Sequence, residues 1–174
     1  MIVVDANVVA HFFIEGNKTA LARQVYGRDP HWIVPEIWRH EFLNILVTSS
    51  LFAKMPEDVA DRIWRDAEDL LRGSICGADM RGVLSAAVER STTAYDAEYV
   101  VLAKARGIKC VTEDGPLRKA FPETAVSMAA FLSNGDAPHM VRETGGEYRV
   151  RAAQVGKFPA RDKPISSIKR KGRA

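Results

Sequence analysis

Short apolar runs alternate with amphipathic segments along most of this chain, and that alternation limits the possible folds more than any other feature of the sequence. Four runs predict strands: Met1 to Val4, Trp32 to Val34, Ile108 to Thr112 and Thr124 to Val126. Helical patterns lie between and after these runs. This order is typical of a parallel sheet covered by helices on both faces, so we predict an α/β fold.

The predicted helices are marked by apolar spacings of three and four and by start and stop signals. Pro56 and the acids after it begin one helix, and Gly107 ends another. The segment Ser74 to Met80 is ambiguous and could add a short strand. The predicted helices are Asn17 or Thr19 to Tyr26, Glu36 to Leu51, Met55 to Leu71, Gly82 to Arg90, Ala94 to Arg106, Gly115 to Ala120 and Ser127 to Leu132.

The texture of the sequence changes after Ser133, where glycines and prolines interrupt a polar stretch. Residues 134–174 hold ten Lys and Arg against four Asp and Glu, a net charge of +6, whereas residues 1–133 carry −3. We therefore predict one domain over 1–133 and a basic C-terminal extension over 134–174 that is partly disordered. Within it, Glu147 to Ala153 could form an edge strand.

Several classes of protein are disfavoured by the sequence. Cys76 and Cys110 match no disulfide framework and no zinc-ligand spacing. The apolar start lacks the basic leader of a signal peptide, and no apolar stretch approaches the roughly 18 residues of a membrane helix. We expect a cytoplasmic protein with reduced thiols and no membrane partner.

Two aspartates follow predicted strands. Asp5 ends the first strand, and Asp114 follows the strand Ile108 to Thr112. Ligands of open parallel sheets bind beyond the carboxyl ends of the strands, near the point where the strand order reverses. Both carboxylates could face that crevice. Alternatively, Asp5 is a turn residue and Asp114 starts a loop, and the pattern leaves both interpretations open.

Two further acids lie on predicted helices. Asp96 is three residues after Thr93, so it could simply complement the helix dipole in an arrangement like a capping box. Glu41 lies mid-helix beside Trp38 and Phe42, where desolvation would disfavour its charge unless a cation or a hydrogen-bond donor compensated it. A structural Arg or Lys could serve as well as a metal ion.

Convergence of these four carboxylates would imply a metal ion, because their mutual repulsion would need to be offset. Oxygen ligands suit Mg²⁺ or Mn²⁺ better than zinc. The four histidines form no metal-binding pair in the sequence. Glu98 and Glu113 are predicted to be peripheral, since Glu98 lies about 200° round the helix from Asp96 and Glu113 alternates with its strand neighbours.

Four segments in order resemble the PIN-domain family, and their spacing is most similar to that of VapC-like toxins of toxin–antitoxin modules. The resemblance covers residues 1–133. The segments are Ile2-Val3-Val4-Asp5-Ala6-Asn7, Val34-Pro35-Glu36-Ile37 leading to Glu41-Phe42-Leu43-Asn44, Ala94-Tyr95-Asp96-Ala97-Glu98-Tyr99-Val100-Val101-Leu102-Ala103, and Val111-Thr112-Glu113-Asp114.

The resemblance implies a Mg²⁺-dependent ribonuclease, with Mn²⁺ as a second candidate cofactor. It implies an RNA substrate, a cognate antitoxin as a partner and a homodimer, but offers no counterpart for residues 134–174. The implied catalytic and metal-binding residues are Asp5, Glu41, Asp96 and Asp114, supported by Asn7 and Thr112.

Two other functions compete with this one. One is a catalytically inactive PIN-like module that binds RNA or protein; retention of all four acids favours the enzyme. The other is a haloacid-dehalogenase-like phosphatase with Asp5 as its nucleophile. Such an enzyme would use a second aspartate two positions on, where this chain has Asn7.

Overall fold

The computed structural model describes residues 1–133, so the predicted basic extension lies outside the described residues. The described chain forms four strands and eight helices. In order they are β1 (Ile2–Val4), α1 (Ala6–Phe13), α2 (Thr19–Arg28), β2 (Trp32–Ile33), α3 (Trp38–Ala53), α4 (Glu57–Leu71), α5 (Met80–Arg90), α6 (Ala94–Arg106), β3 (Cys110–Val111), α7 (Gly115–Ala120), β4 (Ala125–Val126) and α8 (Met128–Ser133).

The strands form one parallel sheet in the order β2-β1-β3-β4. Val3 pairs with Ile33 on one side and with Cys110 on the other. Successive side chains of a strand point to opposite faces, and every residue of β1, β2 and β3 is buried. Helices therefore cover both faces, and the predicted α/β fold with a helix-covered parallel sheet is confirmed.

All four strands lie where the apolar runs predicted them, although their regular pairing is shorter than those runs. The ambiguous segment after α4 contributes one isolated parallel bridge, between Ile75 and Val34. That bridge extends the β2 side of the sheet without forming a full strand. No helix among residues 1–133 is both long and apolar enough to cross a membrane.

Helix α1 was not predicted, and its composition explains why. Ala6, Val8, Val9, Ala10 and Phe13 are all buried, so the helical period is marked only by a narrow polar edge at Asn7 and His11. Its valines also favour strands. The remaining signal is the aspartate before it, whose side chain caps the first turn.

Several other helices begin or end one or two residues from the predicted position, and for α3 and α5 the structure shows the cause. The chain from Pro35 forms a turn before α3, so that helix begins at Trp38 rather than Glu36. Helix α5 begins at Met80 rather than Gly82, because Asp79 caps it. The bounds of α6 match the prediction, and Gly107 ends that helix with a positive φ of 65°.

Aromatic packing fixes the position of α3. The rings of Trp38 and Trp64 are stacked with their centroids 5.9 Å apart, and Phe42 lies 6.2 Å from Trp64. These contacts join α3 to α4 and bury Trp38 and Phe42 completely. Because they anchor the first half of α3, they also fix where Glu41 emerges beside the sheet.

Candidate metal centre

The sheet has a switch point between β1 and β3. The chain leaves β1 for β2 on one side, whereas β3 pairs with the other side of β1. A crevice beyond the carboxyl ends of the strands is expected at such a point. Asp5 directly follows β1, while Thr112 and Asp114 follow β3.

Asp5 is held by a network that joins the ends of these two strands. Its side chain is the N-cap of α1 and the residue is only 7% exposed. Its Oδ2 accepts hydrogen bonds from Asn7 Nδ2 and from Thr112 Oγ1, each at 2.5 Å. The Asn7 side-chain oxygen in turn accepts from the backbone N–H of Glu113 at 3.0 Å. Asn7 and Thr112 therefore orient the Asp5 carboxylate.

Asp114 is positioned by the same strand end. Its backbone N–H donates to Thr112 Oγ1 at 3.0 Å. Its Oδ1 accepts from the backbone N–H of Leu117 at 2.6 Å, which makes Asp114 the N-cap of α7. One carboxylate oxygen is thus occupied by the cap, and the structure gives the other no protein donor among residues 1–133.

Asp96 lies in the first turn of α6. The Thr93 hydroxyl accepts from the Asp96 backbone N–H at 3.1 Å and donates to Asp96 Oδ2 at 2.7 Å. The capping interpretation from the sequence therefore describes a real contact. It does not exclude a ligand role, because a carboxylate has lone pairs for further partners.

Glu41 meets a residue that the sequence analysis did not single out. The hydroxyl of Tyr99 donates to Glu41 Oε2 at 2.7 Å. Tyr99 is buried on α6. Its position three residues after Asp96 was the available signal, since side chains at that spacing are neighbours on a helix surface.

The pKa values of Asp5 and Glu41, the two inner carboxyls, depend on burial and on the charges of the neighbouring acids. Burial, first, and then the charges of Asp96 and Asp114 raise the pKa of Asp5 from 3.8 to about 6, against the hydrogen bonds from Thr112 and Asn7. Burial also raises the pKa of Glu41 from 4.5 to about 7, with contributions from Asp5 and Asp96 and in opposition to the Tyr99 hydrogen bond. Asp5 and Asp96 are therefore close enough to Glu41 for their charges to act on it, and Asp96 and Asp114 are close enough to act on Asp5.

Burial and the nearby charges of Asp5 and Glu41 also raise the pKa of Tyr99 well above its ordinary value. Its hydroxyl keeps its proton across the neutral range and remains a donor. The charge of Glu98 also raises the pKa of Glu41, but less than the charge of Asp96 does.

The donor set suits a hard divalent cation. The hydrogen bonds that Asp5 and Glu41 receive within residues 1–133 come from neutral groups of Asn7, Thr112 and Tyr99. No cation among residues 1–133 forms a hydrogen bond or ion pair with either carboxylate, and oxygen ligands favour Mg²⁺ or Mn²⁺. As they stand, however, no three His, Cys, Asp or Glu side chains of the described chain form a group that could hold a metal ion. The residues fit such an ion by chemistry, with Asp96 and Asp114 bonded to helix N-termini.

Basic side chains lie beside Glu113 and Thr112, at the end of β3. Glu113 accepts hydrogen bonds from Lys18 Nζ and from the backbone N–H of Met128 at 2.9 Å. Lys18 and Arg118 lower the pKa of Glu113, against its desolvation. Arg118 also donates to the Thr112 carbonyl at 2.9 Å. Lys18 and Arg118 were not singled out from the sequence.

Comparison with known proteins identifies the family. The sequence profile of the PIN domain matches residues 2–120. The chain belongs to the PIN-domain family. The predicted resemblance is therefore confirmed, and the matched range includes all four predicted acids. Among curated proteins, no sequence matches this chain at a significant level.

Solved structures of low sequence identity share this fold. The crystal structure of PAE2754 from Pyrobaculum aerophilum has a TM-score of 0.61 at 21% identity, over 75% of this chain and 92% of that one. FitAcB from Neisseria gonorrhoeae has a TM-score of 0.56 at 15% identity, over 74% of this chain and 99% of that one. A structure of FitAB bound to an IR36 DNA fragment gives the same TM-score and identity and covers 74% and 95%.

Proposed function

We propose that this PIN domain is a Mg²⁺-dependent ribonuclease, active also with Mn²⁺, and the toxin of a toxin–antitoxin pair that acts in the cytoplasm. The observation that carries the proposal is the pair of inner carboxylates, Asp5 and Glu41. Asp5 is buried and Glu41 is half-buried. Both feel the charges of further acids and receive hydrogen bonds only from neutral groups of the described chain.

The four acids have complementary tasks in this proposal. Asp5 and Glu41 would hold the ion from the inside, and Asp96 and Asp114 would hold it directly or through water from the rim. Asn7 and Thr112 keep the Asp5 carboxylate oriented. A bound Mg²⁺ would supply an activated water and offset the charge that develops on the scissile phosphate.

An acidic centre must also attract a polyanion. Arg118 and Lys18 lie beside Thr112 and Glu113 at the end of β3, and in the proposal they contact RNA phosphates on either side of the cleaved bond. Such contacts position the backbone without reading its sequence. The basic residues between 134 and 174 would lengthen the same footprint.

The toxin part of the proposal is supported by the motif resemblance to VapC-like proteins and by two exposed apolar faces that suit protein partners. One lies on α3, where Leu51 and Phe52 are 70% and 77% exposed. The other runs along α5 through Met80, Leu84 and Val88 at successive spacings of four. An antitoxin and a second copy of the chain are the two partners that we propose.

One observation favours the inactive module as a second candidate. Asp96 and Asp114 both use carboxylate oxygens in hydrogen bonds at helix N-termini, and no group of three side chains that could hold a metal ion exists among residues 1–133. A domain that had lost its catalytic role could retain these acids as caps alone.

A cleavage assay on the full chain separates these functions. The wild-type protein is incubated with single-stranded RNA, with DNA of the same sequence or with a phosphate monoester, in the presence of Mg²⁺, Mn²⁺ or EDTA. The Asp96→Asn variant is assayed in parallel. We expect RNA cleavage that EDTA and the substitution both abolish. Cleavage that survives either would contradict the proposal, RNA binding without cleavage would support the inactive module, and monoester hydrolysis would support a phosphatase. The DNA arm is included because FitAB holds a DNA fragment.

A further inference from the structure

Helix α6 directs two polar side chains toward the candidate metal centre. Asp96 lies in its first turn, and Tyr99 follows three residues later on the adjoining part of the same helix surface. The Tyr99 hydroxyl donates to Glu41 Oε2 at 2.7 Å across 58 positions of sequence. This contact links α6 directly to α3, the helix that carries Glu41.

Glu41 depends on such a contact for its orientation. It is half-buried on a helix, its long side chain has several rotatable bonds, and Tyr99 gives it its one side-chain hydrogen bond among residues 1–133. Tyr99 is only 1% exposed, so its hydroxyl cannot turn to bulk water. A buried donor left without an acceptor is unfavourable. The hydrogen bond therefore satisfies the buried Tyr99 hydroxyl and also orients the Glu41 side chain.

We propose that Tyr99 is the positioning residue for Glu41: its hydroxyl holds Oε2 and thereby leaves Oε1 available to bind a divalent cation. The proposal rests on the proposed function in so far as Glu41 is a metal ligand. Groups that hydrogen-bond to a ligand fix its direction, and their loss typically weakens metal binding about 10- to 100-fold.

The first test measures Mn²⁺ binding to the full chain by calorimetry. Tyr99→Phe removes only the hydroxyl, and Tyr26→Phe, in the aromatic cluster with Phe12 and Trp32, is the matched control. We expect Tyr99→Phe to weaken Mn²⁺ binding about 10-fold and Tyr26→Phe to leave it unchanged. Wild-type affinity in Tyr99→Phe would overturn the proposal.

A double-mutant cycle separates positioning from a general effect on the fold. In a Glu41→Ala background, Tyr99 has no carboxylate to hold, so Tyr99→Phe should change the Mn²⁺ affinity by less than about 2-fold. An equal loss in both backgrounds would show that Tyr99 does not act through Glu41, and would overturn the proposal.

The four proteins of the cycle, which are the wild type, the two single variants and the double variant, also give a readout that needs no metal ion. In EDTA, Tyr99→Phe should lower the urea midpoint of the wild-type background and leave that of Glu41→Ala unchanged or higher, because there the hydroxyl is a buried donor without its acceptor. Equal shifts in both backgrounds would refute the contact. If the wild-type chain bound no Mn²⁺, the proposed function would fail, and this cycle would still decide whether Tyr99 holds Glu41.

Discussion

Replacing Asp5 with asparagine should make the metal-free protein more stable, although it should destroy the candidate metal centre. The carboxylate is buried beside other acids, and at neutral pH the fold must accommodate its charge. Asparagine has nearly the same shape. Its side-chain oxygen can accept the hydrogen bonds from Asn7 and Thr112 that Oδ2 accepts now, so the substitution removes charge while it retains most of the network.

The size of the effect follows from the pKa. Asp5 has a pKa of about 6 in the fold against an ordinary value of 3.8. Each unit corresponds to about 1.4 kcal/mol, so ionisation of Asp5 destabilises the fold by about 3 kcal/mol. We expect Asp5→Asn to recover about 2–3 kcal/mol of this at pH 8, which for a chain of this length raises the melting temperature by roughly 5–10 °C.

The pH dependence gives the effect its signature. A carboxyl whose pKa is raised on folding destabilises the fold only where it is ionised. The penalty is absent below the unfolded pKa of 3.8, grows as the pH rises, and is complete above the folded pKa of about 6. The raised pKa of Glu41 adds a similar penalty up to about pH 7, but that penalty is present in both proteins and largely cancels in their difference.

The assay is urea unfolding in EDTA at pH 8 and pH 4. The difference in unfolding free energy between Asp5→Asn and wild type should be about 2–3 kcal/mol at pH 8 and close to zero at pH 4. Asp66→Asn, on α4 and outside the ion pairs of the described chain, controls for the loss of one negative charge. A variant no more stable than wild type at pH 8, or a gain of equal size at both pH values, would refute the reasoning.

Three further predictions concern the metal and the RNA. Asp96→Asn should abolish Mn²⁺ binding in calorimetry, whereas Glu98→Gln should alter it by less than about 3-fold; comparable losses would contradict the peripheral assignment of Glu98. Arg118→Gln should raise KM for RNA several-fold with little change in kcat, since a phosphate contact binds ground and transition states alike; an unchanged KM would exclude that contact. Deleting 157–174 should weaken RNA binding most at low salt and flatten the dependence of affinity on salt in a titration, and an identical salt slope would leave the segment without an electrostatic role.

The elements that the sequence predicts well are those with a local cause. The strand Ile2–Val4 is a β-branched run closed by Asp5, and Gly107 ends α6 because it adopts a positive φ at little cost. These signals depend on nearest neighbours, and the structure retains them. Helix α1 lacks such a signal because it is buried on nearly every side, and only its packing against the helices around it reveals its shape.

The candidate site also has a part that local sequence patterns predict and a part that they do not. Each predicted acid follows a strand or occupies a helix position that a sequence pattern can single out. The contacts that join them are long-range: Asp5 with Thr112 spans 107 positions, and Tyr99 with Glu41 spans 58. No spacing rule connects such pairs, and so the hydroxyl that holds Glu41 and the cations beside Glu113 emerge only from the fold.

Capping by these acids does not exclude the ligand role that we propose for them, and helix geometry explains why. Asp5 caps α1, Asp114 caps α7, and Asp96 lies in the first turn of α6. The N-terminus of a helix carries a partial positive charge, which stabilises nearby carboxylates. Three helix N-termini near one switch point thus offset part of the repulsion among the acids. Asp5 and Asp114 accept hydrogen bonds from backbone N–H groups, and Asp96 accepts one from the Thr93 hydroxyl. A carboxylate has lone pairs for further partners, so these caps do not exclude the proposed ligand role.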